Sequence, residues 1–118
     1  FREKAGWFVH RIAKAHPDRL IACITLFPFS SDIDGKPLRQ SVCPPEDYRR
    51  ALRRIVKEID SPNVILIEGS HLLTDMSNLC ADVLHPGDYG MMQIAENLAA
   101  RLKDRLLEKR DRTGLTGN

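Results

Sequence analysis

The residues of this chain best placed to do chemistry are Asp82 and His85, in the stretch CADVLHPGDYGMMQIAENLAARL from Cys80 to Leu102. A carboxylate three residues ahead of an imidazole can bond one ring nitrogen within a tight turn. The other nitrogen is then left to take or return a proton. Pro86 and Asp88 suit the first turn of a helix, so the pair is expected where a strand's trailing loop meets a helix. That is the carboxyl end of a parallel sheet, where open α/β sheets hold their ligands. Helix-start chemistry alone, with an idle His85, is the plainer account of the same residues.

Other reactive side chains make weaker cases. Ser70, in IEGSHLL, follows a strand-like run, but no Gly-x-Ser-x-Gly surrounds it and no strong helix start follows. It reads as a turn residue, and His71 as a loop histidine. His71, Asp82, His85 and Asp88 could offer nitrogen and oxygen to a metal, yet no HxH or HxxxH pair supports that, so no metal is expected. Cys23, Cys43 and Cys80 are odd in number and include no CxxC, which argues against a disulfide framework or a zinc ribbon. Arg49, Arg50, Arg53, Arg54 and Lys57 form a basic row with no interleaved aromatics, flanked by Glu46, Asp47 and Glu58. A solvated helix face is the expectation there, not a phosphate-binding surface.

The elements that must position Asp82 and His85 follow from periodicity. Phe1, Ala5, Phe8, Ile12 and Ala15 fall at helical steps, and His16-Pro17 ends the pattern. RLIACITLF, residues 19–27, is a near-continuous apolar run, as expected of a parallel strand buried on both faces. Pro28 to Pro44 predicts a long loop, of a length that often carries function and here a wall for a pocket. A second helix starts near Pro45 with the stripe Tyr48, Leu52, Ile55, Val56 and Ile59. NVILIEG supplies a second buried strand, and Ser70–Ala81 an irregular segment in which Leu72 and Leu73 pack inward. A third helix is expected from Pro86 to about Lys109, with Met91, Ile94, Ala95, Leu98, Leu102 and Leu106 on one face. Residues 110–118 read as a disordered polar tail.

The order α-β-α-β-α, with helices as crossovers between parallel strands, predicts an α/β fold. Two strands leave at least one apolar sheet edge uncovered, which a second copy could cover as a homodimer. The pattern therefore reads as residues 1–109 of one end of a larger doubly wound domain, cropped upstream of Phe1. Composition adds exclusions. With 42% hydrophobic and 29% charged residues in 118, and a formal net charge of +2, nothing points to a nucleic-acid or membrane partner. No apolar run approaches the roughly 20 residues of a membrane span.

Asp82-Val83-Leu84-His85-Pro86, followed by Asp88-Tyr89-Gly90 and MMQIAENLAARL, resembles the last conserved block of the SGNH, or GDSL-like, hydrolases. HPDRLIACITLFPFS is similar to that superfamily's penultimate strand, YRRALRRIVKEI to the helix after it, and NVILIEGSHLL to its last strand. The resemblance covers about residues 1–105, and the DxxHP block is its most specific part. It implies a flavodoxin-like three-layer α/β/α sandwich. It also implies a Ser-His-Asp triad in which His85 is the base and Asp82 orients it. The family's Gly-Asp-Ser block and the later Gly and Asn of its oxyanion hole have no match here, so nucleophile and oxyanion donors are expected outside this chain. The implied substrate is an acetyl or small acyl ester, free or carried on a carbohydrate, with no cofactor and no metal. A non-catalytic binding module of the same shape is the alternative, and the presence of both Asp82 and His85 favours the enzyme.

Overall fold

In the computed structural model, which describes residues 1–36 and 41–112, the element order is α1 (Arg2–Ala15), β1 (Ile21–Ile24), α2 (Ser31–Asp34), α3 (Pro45–Ile59), β2 (Val64–Ile67) and α4 (Asp88–Arg112). Two 3-10 turns, Gly69–His71 and Met76–Asn78, lie between β2 and α4. The strands pair in parallel, Ile21 opposite Val64 through to Ile24 opposite Ile67. The chain is thus α/β, as the alternation of helical and strand-like runs predicts.

Side chains alternate between the two faces of the sheet. Ile21, Cys23, Val64 and Leu66 pack with Val9, Ala13, Leu52, Val56 and Ile59. Ala22, Ile65 and Ile67 pack instead with Leu72, Leu73, Ile94, Leu98 and Leu102. The α1 and α3 helices therefore cover one face, and α4 with the segment before it covers the other. Leu72 and Leu73 are fully buried, the inward packing expected of them. At the amino ends of the strands the Asn63 amide donates to the His16 and Arg19 carbonyls at 2.9 and 3.1 Å, joining the two strand entries.

The α3 helix forms where its sequence signals converge. Pro45 occupies its first turn, where a missing N–H costs nothing, and Glu46 and Asp47 complement the dipole's positive end. It ends at Asp60, whose left-handed backbone (φ 44°) caps the last turn with an N–H donated to the Val56 carbonyl. The α1 helix forms as expected but packs by a different stripe. Ala13 is buried, Val9 packs beside it and Gly6 faces Ile55, while Phe1 and Phe8 stay exposed with Trp7. Close approach to α3 favours the small residues, so the aromatics turn outward.

Other expectations need correcting. The ladder pairs only Ile21–Ile24 and Val64–Ile67, shorter than the apolar runs containing them, because Thr25 and Glu68 turn to side-chain bonding at the strand ends. The expected Pro28–Pro44 loop contains α2, and its residues 37–40 lie outside the described residues. The last helix begins at Asp88, not Pro86, and continues through Arg112. The rest of the expected tail, residues 113–118, lies outside the described residues. Ile94 is buried on α4 as expected, but Met91 and Leu106 are 56% and 52% exposed, beyond the reach of the short sheet.

The outer edge of β1 faces no other described strand. Ile21 N–H bonds the Asn63 carbonyl at 2.7 Å and Thr25 N–H the Ile67 carbonyl at 3.0 Å. The intervening backbone groups of Ala22 and Ile24 therefore point away from β2. Ile24, the last residue of β1, and Leu26, just beyond it, are 37% and 44% exposed.

Candidate functional site

Asp82 and His85 occupy the tip of a hairpin-like loop between the second 3-10 turn and α4. Leu79 and Pro86 form an antiparallel bridge at its base. The Cys80 N–H donates to the His85 carbonyl at 2.7 Å, and the Gly87 N–H to the Asn78 carbonyl at 2.9 Å. Inside this frame the Asp82 side chain closes the turn on its own backbone, a bonding pattern aspartate favours. Its Oδ1 accepts the N–H groups of Leu84 and His85, both at 3.0 Å. Its Oδ2 lies 2.6 Å from His85 Nδ1.

These bonds have an electrostatic consequence. The His85 ring bond, then the His85 and Leu84 amides, pull the Asp82 carboxyl down to about 2. Asp82 is therefore ionised and can only accept, so the neutral ring carries its proton on Nδ1 and presents a bare Nε2. Among the described residues nothing hydrogen-bonds Nε2, and the His85 side chain is 71% exposed. The spacing expectation is thus met in geometry: the two side chains meet, with one ring nitrogen free.

Two supports hold the loop. Gly90, in the first turn of α4, lies so close beneath it that a Cβ there would stand 2.6 Å from the Asn78 carbonyl oxygen. Val83, between the paired residues, has φ 52°, a left-handed conformation that β-branched residues resist. Its carbonyl accepts the Ser30 N–H at 2.9 Å, which ties the loop to the segment following β1.

That segment is fixed by a group the sequence reading placed elsewhere. Arg49, expected on a solvated face, is buried. Its guanidinium grips Asp32 through two nitrogens, at 2.5 and 2.8 Å, and donates to the Leu26 and Phe27 carbonyls at 3.0 and 2.9 Å. Asp32 Oδ2 also accepts the Phe29 N–H at 3.0 Å. The Arg49 bonds, ahead of burial, hold the Asp32 carboxyl below its ordinary range. Arg53 stays half-exposed but bonds Glu68 at 2.6 and 3.0 Å and Glu46 at 2.5 Å. Glu68 in turn accepts from the buried Thr25 hydroxyl at 2.9 Å, whose oxygen receives the Gly69 N–H at 2.8 Å. A polar network thus crosses the carboxyl ends of both strands. A signal for it existed: at 100° per residue, Arg49 lies about 75° from the centre of the apolar stripe, whereas Arg50, Arg54 and Lys57 lie beyond about 140°.

Comparison with known proteins finds no matching family model, no matching curated protein and no matching solved structure.

The remaining candidates stay apart. Ser70 and His71 are exposed in the 3-10 turn after β2, and neither bonds the Asp82–His85 pair. The Arg53 bond, well ahead of nearby His71, holds the Glu68 carboxyl below its ordinary range. Among the described residues no three His, Cys, Asp or Glu side chains gather as a metal site, so His71, Asp82, His85 and Asp88 do not form one. Cys23, Cys43 and Cys80 are free thiols, and burial pushes that of Cys23 up. No helix among the described residues is long and apolar enough to cross a membrane. The arrangement can move a proton at His85 Nε2 while Asp82 stabilises the resulting imidazolium.

Proposed function

We propose that this chain supplies the acid–base half of a serine ester hydrolase of the SGNH type, within a flavodoxin-like α/β/α sandwich. The observation that carries the reading is the 2.6 Å contact of Asp82 with His85 Nδ1, with Nε2 open to solvent. A residue with only a packing role has no need of an oriented, exposed ring. In this mechanism the serine comes from a part of the protein outside this chain. His85 Nε2 takes the hydroxyl proton as Oγ attacks the ester carbonyl, then gives it to the departing alcohol. A water repeats the cycle on the acyl-enzyme, and Asp82 holds the tautomer and offsets the imidazolium charge throughout. The alternative is a binding module of the same shape.

The test is ester turnover by the complete protein and by its His85→Ala and Asp82→Asn variants. Both are expected to lose about three orders of magnitude or more in kcat, with the fold retained by circular dichroism. Near-normal turnover in His85→Ala would remove the triad, and no turnover by the complete protein would leave the binding module.

A further inference from the structure

Beside the Asp82–His85 loop lies a cavity of about 220 Å³ bounded by Leu26, Phe27, Phe29, Ser41, Pro45, Tyr48 and Leu84. It is formed where the segment after β1, the start of α3 and the histidine loop meet. Leu84 immediately precedes His85, so the cavity wall and the base are neighbouring residues with Cα atoms about 3.8 Å apart. The tie from Ser30 N–H to the Val83 carbonyl holds the two walls together.

The chemistry of the lining selects among ligands. Five of the side chains offer only carbon. The carbonyls of Leu26 and Phe27 are already taken by Arg49. Of the two hydroxyls, Ser41 donates to the Cys43 carbonyl at 2.9 Å and lies 3.3 Å from the Tyr48 hydroxyl, so the two share one corner. A sugar ring placed here would bury hydroxyls with few partners, which is unfavourable. An alkyl chain meets no such penalty. A methylene is close in size to a water, whose share of liquid is about 30 Å³, so the cavity has room for roughly seven such groups.

We propose that this cavity is the acyl-chain pocket of the ester hydrolase, selecting a medium-length apolar acyl group over an acetylated carbohydrate. The inference rests on the ester-hydrolase reading and narrows its substrate. Leu84 is then a specificity-determining residue, placing the chain beside the base that acts on its carboxyl end.

Two measurements on the complete protein separate failure of the pocket from failure of the hydrolase. In the first, kcat/KM is read across p-nitrophenyl acetate, butyrate, hexanoate, octanoate and dodecanoate. The expected value rises up to about four-fold per methylene and stops rising near hexanoate or octanoate. Leu84→Trp, and Leu26→Trp at the half-exposed rim should the first not fold, are expected to cut the hexanoate-to-acetate ratio at least about ten-fold. In the second, sodium octanoate is titrated while the methyl resonances of Leu26 and Leu84 are followed by NMR, a readout needing no turnover. A saturable shift at both supports the pocket even in a protein that hydrolyses nothing, an outcome that would sink only the hydrolase. Ester turnover with a flat chain-length profile and unmoved methyls overturns the pocket alone. Neither turnover nor a shift overturns both.

Discussion

Replacing Arg49 with methionine keeps much of the aliphatic stem and removes the guanidinium. Four hydrogen bonds go with it, two to Asp32 and two to the Leu26 and Phe27 carbonyls. The Arg49 side chain is 9% exposed and Asp32 28%, so water only partly replaces what Asp32 loses. Breaking a fully buried pair costs about 3–5 kcal/mol, and the access at Asp32 lowers that to roughly 2–4 kcal/mol. Urea unfolding reads the loss directly, and the double variant Asp32→Asn with Arg49→Met isolates the pair. A coupling of about 1.5 kcal/mol or more is expected. The pH dependence carries a sign. The Asp32 carboxyl is depressed in the fold, so its contribution is complete above the unfolded value of about 3.9 and fades as pH falls through the folded one. The gap between wild type and Arg49→Met should therefore narrow in acid. Because the clamp also orders the segment bearing Ser30, the Ser30 amide, bonded to the Val83 carbonyl, should exchange faster in the variant. A loss under about 1 kcal/mol, or effects of the two substitutions that simply add, would refute the reasoning.

Gly69→Ala should cost about 2–3 kcal/mol, since a Cβ there meets the Thr25 carbonyl oxygen and stands 2.7 Å from that of Leu26, both backbone groups that cannot rotate away. An unchanged urea midpoint would show that the two strand ends separate easily. Asp60→Gly should do the opposite and stabilise by about 0.5–1 kcal/mol, because it relieves the φ 44° backbone and removes a negative charge from the carboxyl end of α3. A rise in Tm of a few degrees is the readout, and a fall would mean that the cap is not strained.

What the sequence made legible and what it hid divide along the range of the interactions. Asp82 reaches His85 across three residues and folds back on its own amides, so the spacing already shows that the two side chains can meet. The two strands and the stripe of α3 are equally local in their periodicity. Arg49 and Asp32 are 17 residues apart, and residue type alone marks Arg49 as one more member of a basic row. Only its angle to the stripe separates it from Arg50 and Arg54, and that angle does not name its partner. The outward turn of Phe8 depends likewise on how closely α1 approaches α3, which no period in α1 encodes.

Val83 joins the two kinds of information. Nothing in Asp-Val-Leu-His asks a valine for a left-handed backbone, a conformation costing about 1–2 kcal/mol in an L-residue. The conformation holds because Asp82 binds the two amides after it while Ser30 N–H binds the Val83 carbonyl. The local motif thus draws its shape from a distant segment, and that segment from Arg49 of α3. The loop bearing His85 and the cavity wall bearing Phe29 are consequently one mechanical unit. A substitution at Arg49, far from the imidazole in sequence, should move the base and the pocket together.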